Sequence, residues 1–189
     1  MPRTNRLVPY KAAMHIMCRG NNKQAVFNDD YDKLRYYRFV LELKDENKIT
    51  IFHYCLMNNH IHMIIWIDEQ TTLSRFMKQI TLRYFSYYHR KYNYHGHLWQ
   101  GRFKSAIIDE SAYLLQCGKY IELNPVRANM VNCPELYIFS SYNHYAKGLA
   151  DAIITDSPEY IGLSKNPDVR RKLYSEFVIG DVSGNVPLI

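Results

Sequence analysis

The chain has 189 residues, 47% of them hydrophobic, so it is long and apolar enough to form one ordinary domain with a core. Its net charge of +6 suits a polyanionic partner. Many of its 17 tyrosines stand beside Arg or Lys, which fits a groove for unpaired bases and equally well tyrosines that pack in the core with one polar edge at the surface. No apolar run approaches the roughly 20 residues that cross a bilayer, and the N-terminus lacks the apolar segment of a signal peptide. We therefore expect a cytoplasmic protein with no membrane partner.

In chain order, the first predicted elements are a strand, a turn and a helix. Residues 11–19, KAAMHIMCR, form the strand, and GNN follows as the turn. A helix then begins with Asn28 or Asp29 as its N-cap. Its apolar stripe is predicted to be Leu34, Tyr37 and Leu41, which recur at helical spacing.

The middle of the chain predicts a hairpin and a long helix. Strands at residues 49–57 and 60–68 flank the tight turn Asn58-Asn59. The helix covers residues 72 to about 92. Its apolar positions, which repeat at helical spacing, are Leu73, Phe76, Met77, Ile80 and Tyr84.

The remaining elements complete a recognisable order. A loop, YNYHGHLWQG, precedes a fourth strand at residues 102–109. A further helix begins near Asp109 or Ser111 and runs to about Asn124, where Pro125 discourages continuation. The first six elements match an α+β, ferredoxin-like (RRM-like) fold, a four-stranded antiparallel sheet backed by two helices. Residues 1–148 are predicted as the catalytic domain, and residues 149–189 as a helical extension with a flexible tail and no chemistry of its own.

Four cysteines are scattered through the chain without a Cys-x-x-Cys pair. This spacing argues against a structural zinc site and against a disulfide scaffold. They are Cys18, Cys55, Cys117 and Cys133, which we expect to be ordinary reduced thiols.

Two histidines interrupt the apolar third strand. His60 and His62 are two residues apart, so they point to the same face of the sheet and could grip one metal ion. By itself a His-x-His pair is more often two polar residues on a sheet face. Tyr120 and Asn124, four residues apart on the last core helix, share a helical face and could supply a nucleophile and a third ligand. An amphipathic packing helix with a half-buried tyrosine explains that spacing equally well.

Four ordered blocks identify a resemblance that covers roughly residues 9–148. CLMNNHIHMII, GHLWQGRFKS, KYIELNPVRANMV and SSYNHY together resemble the HUH single-tyrosine transposases of small insertion sequences. Within that superfamily the sequence looks most like the REP-associated tyrosine transposases. HUH denotes His, a hydrophobic residue and His, here His60-Ile61-His62. Relatives usually have Pro or Glu before the first His, where this chain has Asn58-Asn59.

The resemblance implies a ferredoxin-like fold and metal-dependent cleavage of single-stranded or hairpin DNA, with Mg²⁺ or Mn²⁺ as the metal. It implies that Tyr120 is the catalytic nucleophile and that Asn124 completes the metal site of His60 and His62. The product would be a 5′-phosphotyrosine and a free 3′-hydroxyl, and the covalent link would conserve the bond energy for rejoining. Related proteins act as homodimers or as monomers, and the sequence leaves both states open.

Candidate DNA contacts combine charge, amide groups and aromatic rings near the first and fourth strands. They are Arg19, Asn21, Asn22, His97, Trp99, Gln100, Arg102, Phe103, Lys104 and Arg127. Trp99 and Phe103 could equally anchor their loop to the core.

Two other functions stay open at this stage. A domesticated module could bind nucleic acid on the sheet without cutting it, as RNA-recognition domains do. A metal-dependent hydrolase could use water in place of Tyr120.

Overall fold

The strands of the protein form one antiparallel sheet of order β2-β3-β1-β4, which is the order of the predicted ferredoxin-like fold. In this computed structural model the described residues are 11–68, 72–108 and 111–180. The strands are β1 (Ala12–Arg19), β2 (Thr50–Met57), β3 (His60–Ile67) and β4 (Lys104–Ile108). The helices are α1 (Asp30–Glu46), α2 (Thr72–Tyr92), α3 (Ser111–Glu122), α4 (Asn124–Arg127), α5 (Tyr142–Lys147), α6 (Pro158–Gly162) and α7 (Pro167–Ile179). The predicted α+β class and the order of the first elements are confirmed.

The alternation of side chains along the strands gives the sheet two different faces. One face carries Ile16, Ile61, Met63 and Ile65, all buried in the main core with apolar residues of α1 and α2. The other face carries histidines, and α3 packs against it through contacts with β2, β3 and β4. The two backing helices therefore lie on one side of the sheet and the tyrosine helix on the other.

Local sequence signals explain where α1 begins. Asp29 is its N-cap, because its carboxylate accepts a hydrogen bond from the backbone N–H of Asp32. The predicted apolar stripe of α1 was wrong: Leu34 is 48% exposed, and Tyr37 and Leu41 are only partly buried. The buried face is Tyr36, Phe39, Val40 and Leu43. Both sets satisfy the helical repeat, and the buried set has two aromatic side chains where the predicted set has one.

The long helix α2 matches its prediction at both ends and on its buried face. The five residues predicted for its stripe, Leu73, Phe76, Met77, Ile80 and Tyr84, are all buried. The four cysteines are free, as expected. In the part of the chain that the structure describes, no helix is long and apolar enough to cross a membrane.

A second, smaller core forms where the C-terminal helices meet α3. Its buried members are Leu123, Tyr142, Tyr145, Ala146, Tyr160, Tyr174 and Val178. Helix α7 packs on α5, and α6 packs on α3, so the helical residues after 148 are joined to the tyrosine helix. The predicted domain division at residue 148 stays a prediction. The predicted flexible tail and the basic N-terminal stretch lie outside the described residues.

Candidate active site

The register of the sheet places His60 and His62 on the face that α3 covers. His60 stands opposite Arg19 on β1, and His62 stands opposite Met17. The two imidazole centroids are 4.9 Å apart. The strand pattern therefore brings both rings to one place, as the sequence predicted.

Each of the two rings is anchored by its Nδ1 atom. Nδ1 of His60 lies 2.6 Å from Oδ1 of Asn59, and Nδ1 of His62 lies 2.8 Å from Nε2 of His15. An amide oxygen only accepts, so Nδ1 of His60 carries the hydrogen and Nε2 keeps its lone pair. If the hydrogen shared with His15 is on Nδ1 of His62, the same holds for that ring. This arrangement is typical of metal-binding histidines, whose second nitrogen donates to a neighbouring group.

The environment keeps these imidazoles neutral. Burial lowers the pKa of His15 to about 4, and burial together with the charge of Arg19 lowers the pKa of His60 to about 4. Burial, reinforced by the two neighbouring imidazoles, lowers the pKa of His62 well below its ordinary value. A neutral imidazole offers the lone pair that a metal requires.

Tyr120 on α3 lies beside these rings. Its ring centroid is 6.1 Å from that of His62 and 6.4 Å from that of His15, in both cases edge to face. The guanidinium carbon of Arg127 lies 5.2 Å from the centroid of the same tyrosine ring. The side chain is only partly buried, so the phenol combines access with a nearby cation.

Asn124 is placed somewhat differently from the prediction. Helix α3 ends at Glu122, and Asn124 begins the short helix α4, whose first turn contains Pro125. The amide nitrogen of Asn124 donates to the backbone oxygens of Tyr120 at 3.0 Å and Ile121 at 3.2 Å. The amide group thus stabilises the end of the tyrosine helix, and its oxygen is the atom that could serve a metal.

The donor set fits an oxygen- and nitrogen-preferring divalent ion only if the carboxamide takes part. Among the described residues, no group of three or more His, Cys, Asp or Glu side chains could hold a metal. Two imidazole nitrogens and one amide oxygen would together make a mixed nitrogen and oxygen donor set, which Mn²⁺ or Mg²⁺ could use.

A basic cavity of about 310 Å³ adjoins the histidine pair on the β1–β4 side. Its lining is Met17, Arg19, Gln100, Gly101, Arg102 and Lys104. The lining thus includes four of the predicted DNA contacts and the strand partners of both histidines. The side chains of Arg19 and Gln100 are within 3.4 Å of each other.

The other predicted DNA contacts differ in their exposure to solvent. Asn21, Asn22 and His97 are exposed, whereas Phe103 is 9% exposed and belongs to the main core. Trp99 is half-buried: its ring packs 5.9 Å from that of Tyr84, and its Nε1 atom donates to the backbone of α2. For both rings the structure shows the loop-anchoring arrangement that the sequence had left open.

Sequence reasoning missed two residues of the site. No part in the site was predicted for His15, and Asn59 was predicted only as part of the turn. The predicted fold pairs β1 with β3, but a single sequence does not reveal the register of that pairing, which brings His15 to His62. For Asn59 a signal existed, since its side chain directly precedes the first histidine.

Comparisons with known proteins bear on the family and the fold. The family model for IS200-like transposases matches residues 9–124. The fold is similar to that of a REP-associated tyrosine transposase bound to a REP hairpin, with 19% identity, a TM-score of 0.64, and coverage of 83% of this chain and 93% of that one. A transposase candidate from Deinococcus radiodurans is 16% identical at a TM-score of 0.45 and covers 64% of this chain and 96% of its own. A tRNA(His) guanylyltransferase from Saccharomyces cerevisiae is 12% identical at a TM-score of 0.49, with 98% and 85% covered. No curated protein matches the sequence.

Proposed function

The chain belongs to the IS200-like transposase family, and we propose that it cuts and rejoins single-stranded DNA through a covalent bond to Tyr120. The observation that carries this proposal is the position of the Tyr120 ring, 6.1 Å from that of His62 on the histidine face of the sheet. A transposase of this family needs one nucleophile and one site that withdraws charge from a phosphate, and these residues bring the two together.

The proposed step is an in-line displacement at phosphorus. The phenol oxygen of Tyr120 forms a bond to phosphorus while the bond from phosphorus to the 3′ oxygen breaks. The phenol loses its proton, the departing 3′ oxygen gains one, and the downstream strand segment stays linked to the tyrosine through its 5′ phosphate. Reversal by the same or another 3′-hydroxyl rejoins the strand without ATP, because the covalent link conserves the phosphodiester bond energy.

We propose that His60, His62 and Asn124 hold Mg²⁺ or Mn²⁺ beside this phosphate. The bound ion supplies Lewis-acid stabilisation of the negative charge on a non-bridging oxygen. The residues of the chain orient that site: Asn59 and His15 fix the two imidazole rings, and the distances of 2.6 Å and 2.8 Å are those of ordinary hydrogen bonds. The guanidinium of Arg127, above the tyrosine ring, adds positive charge where the phenolate develops.

The proposed substrate is a DNA hairpin or palindromic repeat with a single-stranded flank. The solved relative is described as bound to a REP hairpin, which supports this class of substrate. The basic cavity between β1 and the loop before β4 would take the flank, with Arg19, Arg102 and Lys104 positioned for its phosphates. The exposed Asn21, Asn22 and His97 stay proposed contacts, and Phe103 is left out because its ring is buried.

One chain contains every proposed catalytic group, since Tyr120 lies over the His62 of its own sheet. We therefore propose that a monomer can cut DNA in cis. The homodimer considered from the sequence stays a prediction.

A denaturing adduct assay tests the function. Labelled hairpin DNA with a single-stranded flank is incubated with the protein and Mn²⁺ or Mg²⁺, and the protein is then denatured. We expect label to remain on the wild-type protein and to be absent from Tyr120→Phe, with hairpin binding retained. Tyr113→Phe is the matched control, because Tyr113 is an exposed tyrosine of the same helix.

The same assay separates the alternatives. Cutting that survives Tyr120→Phe would indicate attack by water, and tight binding with no cutting by the wild type would indicate a binding module. Either result would contradict the proposal.

A further inference from the structure

The side of α3 that faces away from the histidine pair carries a buried polar cluster. Its members are Glu122, His53, Ser141 and Tyr174, which we call the Glu122 cluster, and each is fully buried. Ser141 donates to Oε1 of Glu122 at 2.6 Å, and Tyr174 donates to Oε2 at 2.8 Å. Nδ1 of His53 lies 3.0 Å from Oε1. A carboxylate buried in this way is costly unless such partners satisfy it, so its position is strongly determined.

The cluster joins α3 to three other elements. His53 belongs to β2, Ser141 is the N-cap of α5, and Tyr174 belongs to α7. A second connection lies on the preceding turn, where Nζ of Lys119 donates to the backbone oxygen of Phe177 at 2.7 Å. Helix α7 therefore contacts α3 at two polar points that bracket Tyr120 in the sequence.

Close packing adds a third constraint on α3. A Cβ atom built on Gly118 would lie 2.6 to 2.8 Å from three atoms of the His53 ring. Such an approach is possible only for glycine, so the backbone of α3 rests directly on that imidazole. The helix is thus fixed at positions 118, 119 and 122.

Tyr120 itself has looser surroundings. Its side chain is partly exposed. The ring makes edge contacts with the imidazoles of His15 and His62, and the guanidinium of Arg127 lies over it. Residues 120 and 122 are about 200° apart around a helix, so any rotation of α3 about its axis moves both side chains together. Fixing Glu122 therefore fixes the direction in which the Cα–Cβ bond of Tyr120 leaves the helix.

We propose that α7 is a positioning element for the nucleophile. Through Tyr174 and the backbone of Phe177, α7 keeps α3 at one rotation about its helical axis. That rotation in turn limits the distance between the Tyr120 oxygen and the phosphate. A misplacement of about 1 Å in a reacting group can cost on the order of 100-fold in rate. Helix α7 lies beyond residues 9–124, the part that the family model matches. This inference rests on the proposed function.

The test compares two buried hydroxyls of the same helical interface. Tyr174→Phe removes the hydroxyl that reaches Glu122 on α3. Tyr142→Phe is the matched control, since Tyr142 is also fully buried and its hydroxyl reaches Ser175 of α7 at 3.2 Å but not α3. Adduct formation is measured in single turnovers with saturating hairpin DNA, at a temperature well below the unfolding midpoint of each variant. Hairpin affinity is measured in parallel.

We expect Tyr174→Phe to slow adduct formation 10- to 100-fold with hairpin affinity within twofold of the wild type. The control should keep a rate within twofold of the wild type. A merely structural role would lower the unfolding midpoints of both variants and leave the rates of the folded proteins alike. Equal rates for the two variants would overturn the inference.

Two further outcomes are distinguished. If Tyr174→Phe does not fold, Lys119→Met removes the second connection to α7 and is judged by the same rates. If the wild type forms no adduct, the proposed function fails. If the wild type forms adduct and the variant matches its control, only the role of α7 fails.

Discussion

His53 and His62 lie on neighbouring strands, on the same face of the sheet, and contact different sides of α3. The surroundings of His53 are fully buried, whereas those of His62 are partly open to solvent. His53 on β2 is fully buried and bound to Glu122, whose two carboxylate oxygens have partners from β2, α5 and α7. His62 on β3 is anchored through Nδ1 by His15, and beyond it lies the partly exposed Tyr120. Both are histidines in strands, so residue type alone does not tell which of them lies in a buried cluster and which lies beside the partly exposed tyrosine.

The difference lies in which polar atoms remain available. In the Glu122 cluster all four side chains are fully buried and hydrogen-bonded within the cluster, and among the cluster's side-chain polar atoms only Nε2 of His53 has no partner in the described part of the chain. At the histidine pair, Nδ1 of each ring is hydrogen-bonded, and neither Nε2 atom has a hydrogen-bond partner among the described residues. A closed polar set holds a helix in place, whereas an open one can act on a ligand.

The largest expected effect is on catalysis at the histidine pair, His60 and His62. His60→Ala or His62→Ala removes one imidazole from the proposed metal site, so cleavage should fall by about 100-fold or more, because metal stabilisation contributes several kcal/mol. Single-turnover cleavage over a range of Mn²⁺ concentrations measures this. His95→Ala, an exposed histidine in the loop after α2, should cut like the wild type. Normal cutting by either His variant would overturn the assigned ligands.

A change at the Glu122 cluster should lower the free energy of unfolding. Gly118→Ala places a methyl group against the His53 ring, where the closest atom is 2.6 Å away, and such overpacking costs about 1–3 kcal/mol in the free energy of unfolding. Urea unfolding of the variant measures the loss. Gly162→Ala is the control, since no atom lies within 4 Å of the added carbon there. Equal stability of the two variants would show that α3 does not rest on His53.

The stability contributed by the histidines around His62 should also depend on pH. The pKa of His15 and that of His60 fall to about 4 in the folded protein from an ordinary value of 6.5. Between these pH values the unfolded chain binds protons that the folded protein does not, so stability is present above pH 6.5 and is lost as the pH falls toward 4. Each such group contributes a slope of at most about 1.4 kcal/mol per pH unit. Unfolding of the metal-free protein measures the total slope.

The variant His15→Gln isolates one of these contributions. Its stability should fall less steeply than that of the wild type between pH 6.5 and 4. Identical slopes would show that His15 takes up its proton as readily in the folded protein as in the unfolded chain.

The smallest expected effect concerns the cavity beside the histidine pair. Arg102→Ala should weaken hairpin binding and reduce the slope of log affinity against log salt by about 1, because one phosphate contact is lost. Titrations at several salt concentrations measure the slope. Lys165→Ala, an exposed cation in the segment before α7, should leave it unchanged. The same slope for both variants would remove Arg102 from the DNA surface.

The sequence predicted the parts of the fold that depend on local patterns. Alternation and the Asn58-Asn59 turn located the β2–β3 hairpin, and the Asp29 cap and the α2 stripe located two helices. The stripe of α1 failed because two faces of that helix satisfy the helical repeat. Only the packing against the sheet decides between them.

The site was predictable to the extent that it follows from spacing and resemblance. His60 and His62 share a face because side chains alternate along a strand, and the resemblance in four ordered sequence blocks is what implied Tyr120 as the nucleophile. Residue contacts between distant elements were not predictable: the register of β1 against β3 brings in His15, and the contact of α7 with α3 builds part of the Glu122 cluster. The latter joins residues 52 positions apart in the chain.

The central claim is that Tyr120 attacks the phosphate, and mapping the covalent adduct tests it most directly. The wild-type protein is incubated with hairpin DNA and Mn²⁺, digested with nuclease and protease, and the nucleotide-linked peptide is sequenced by mass spectrometry. We expect a single modified peptide with the nucleotide on Tyr120, bonded through its 5′ phosphate. Cleaved DNA without any linked peptide, or a nucleotide on a different tyrosine, would contradict the account.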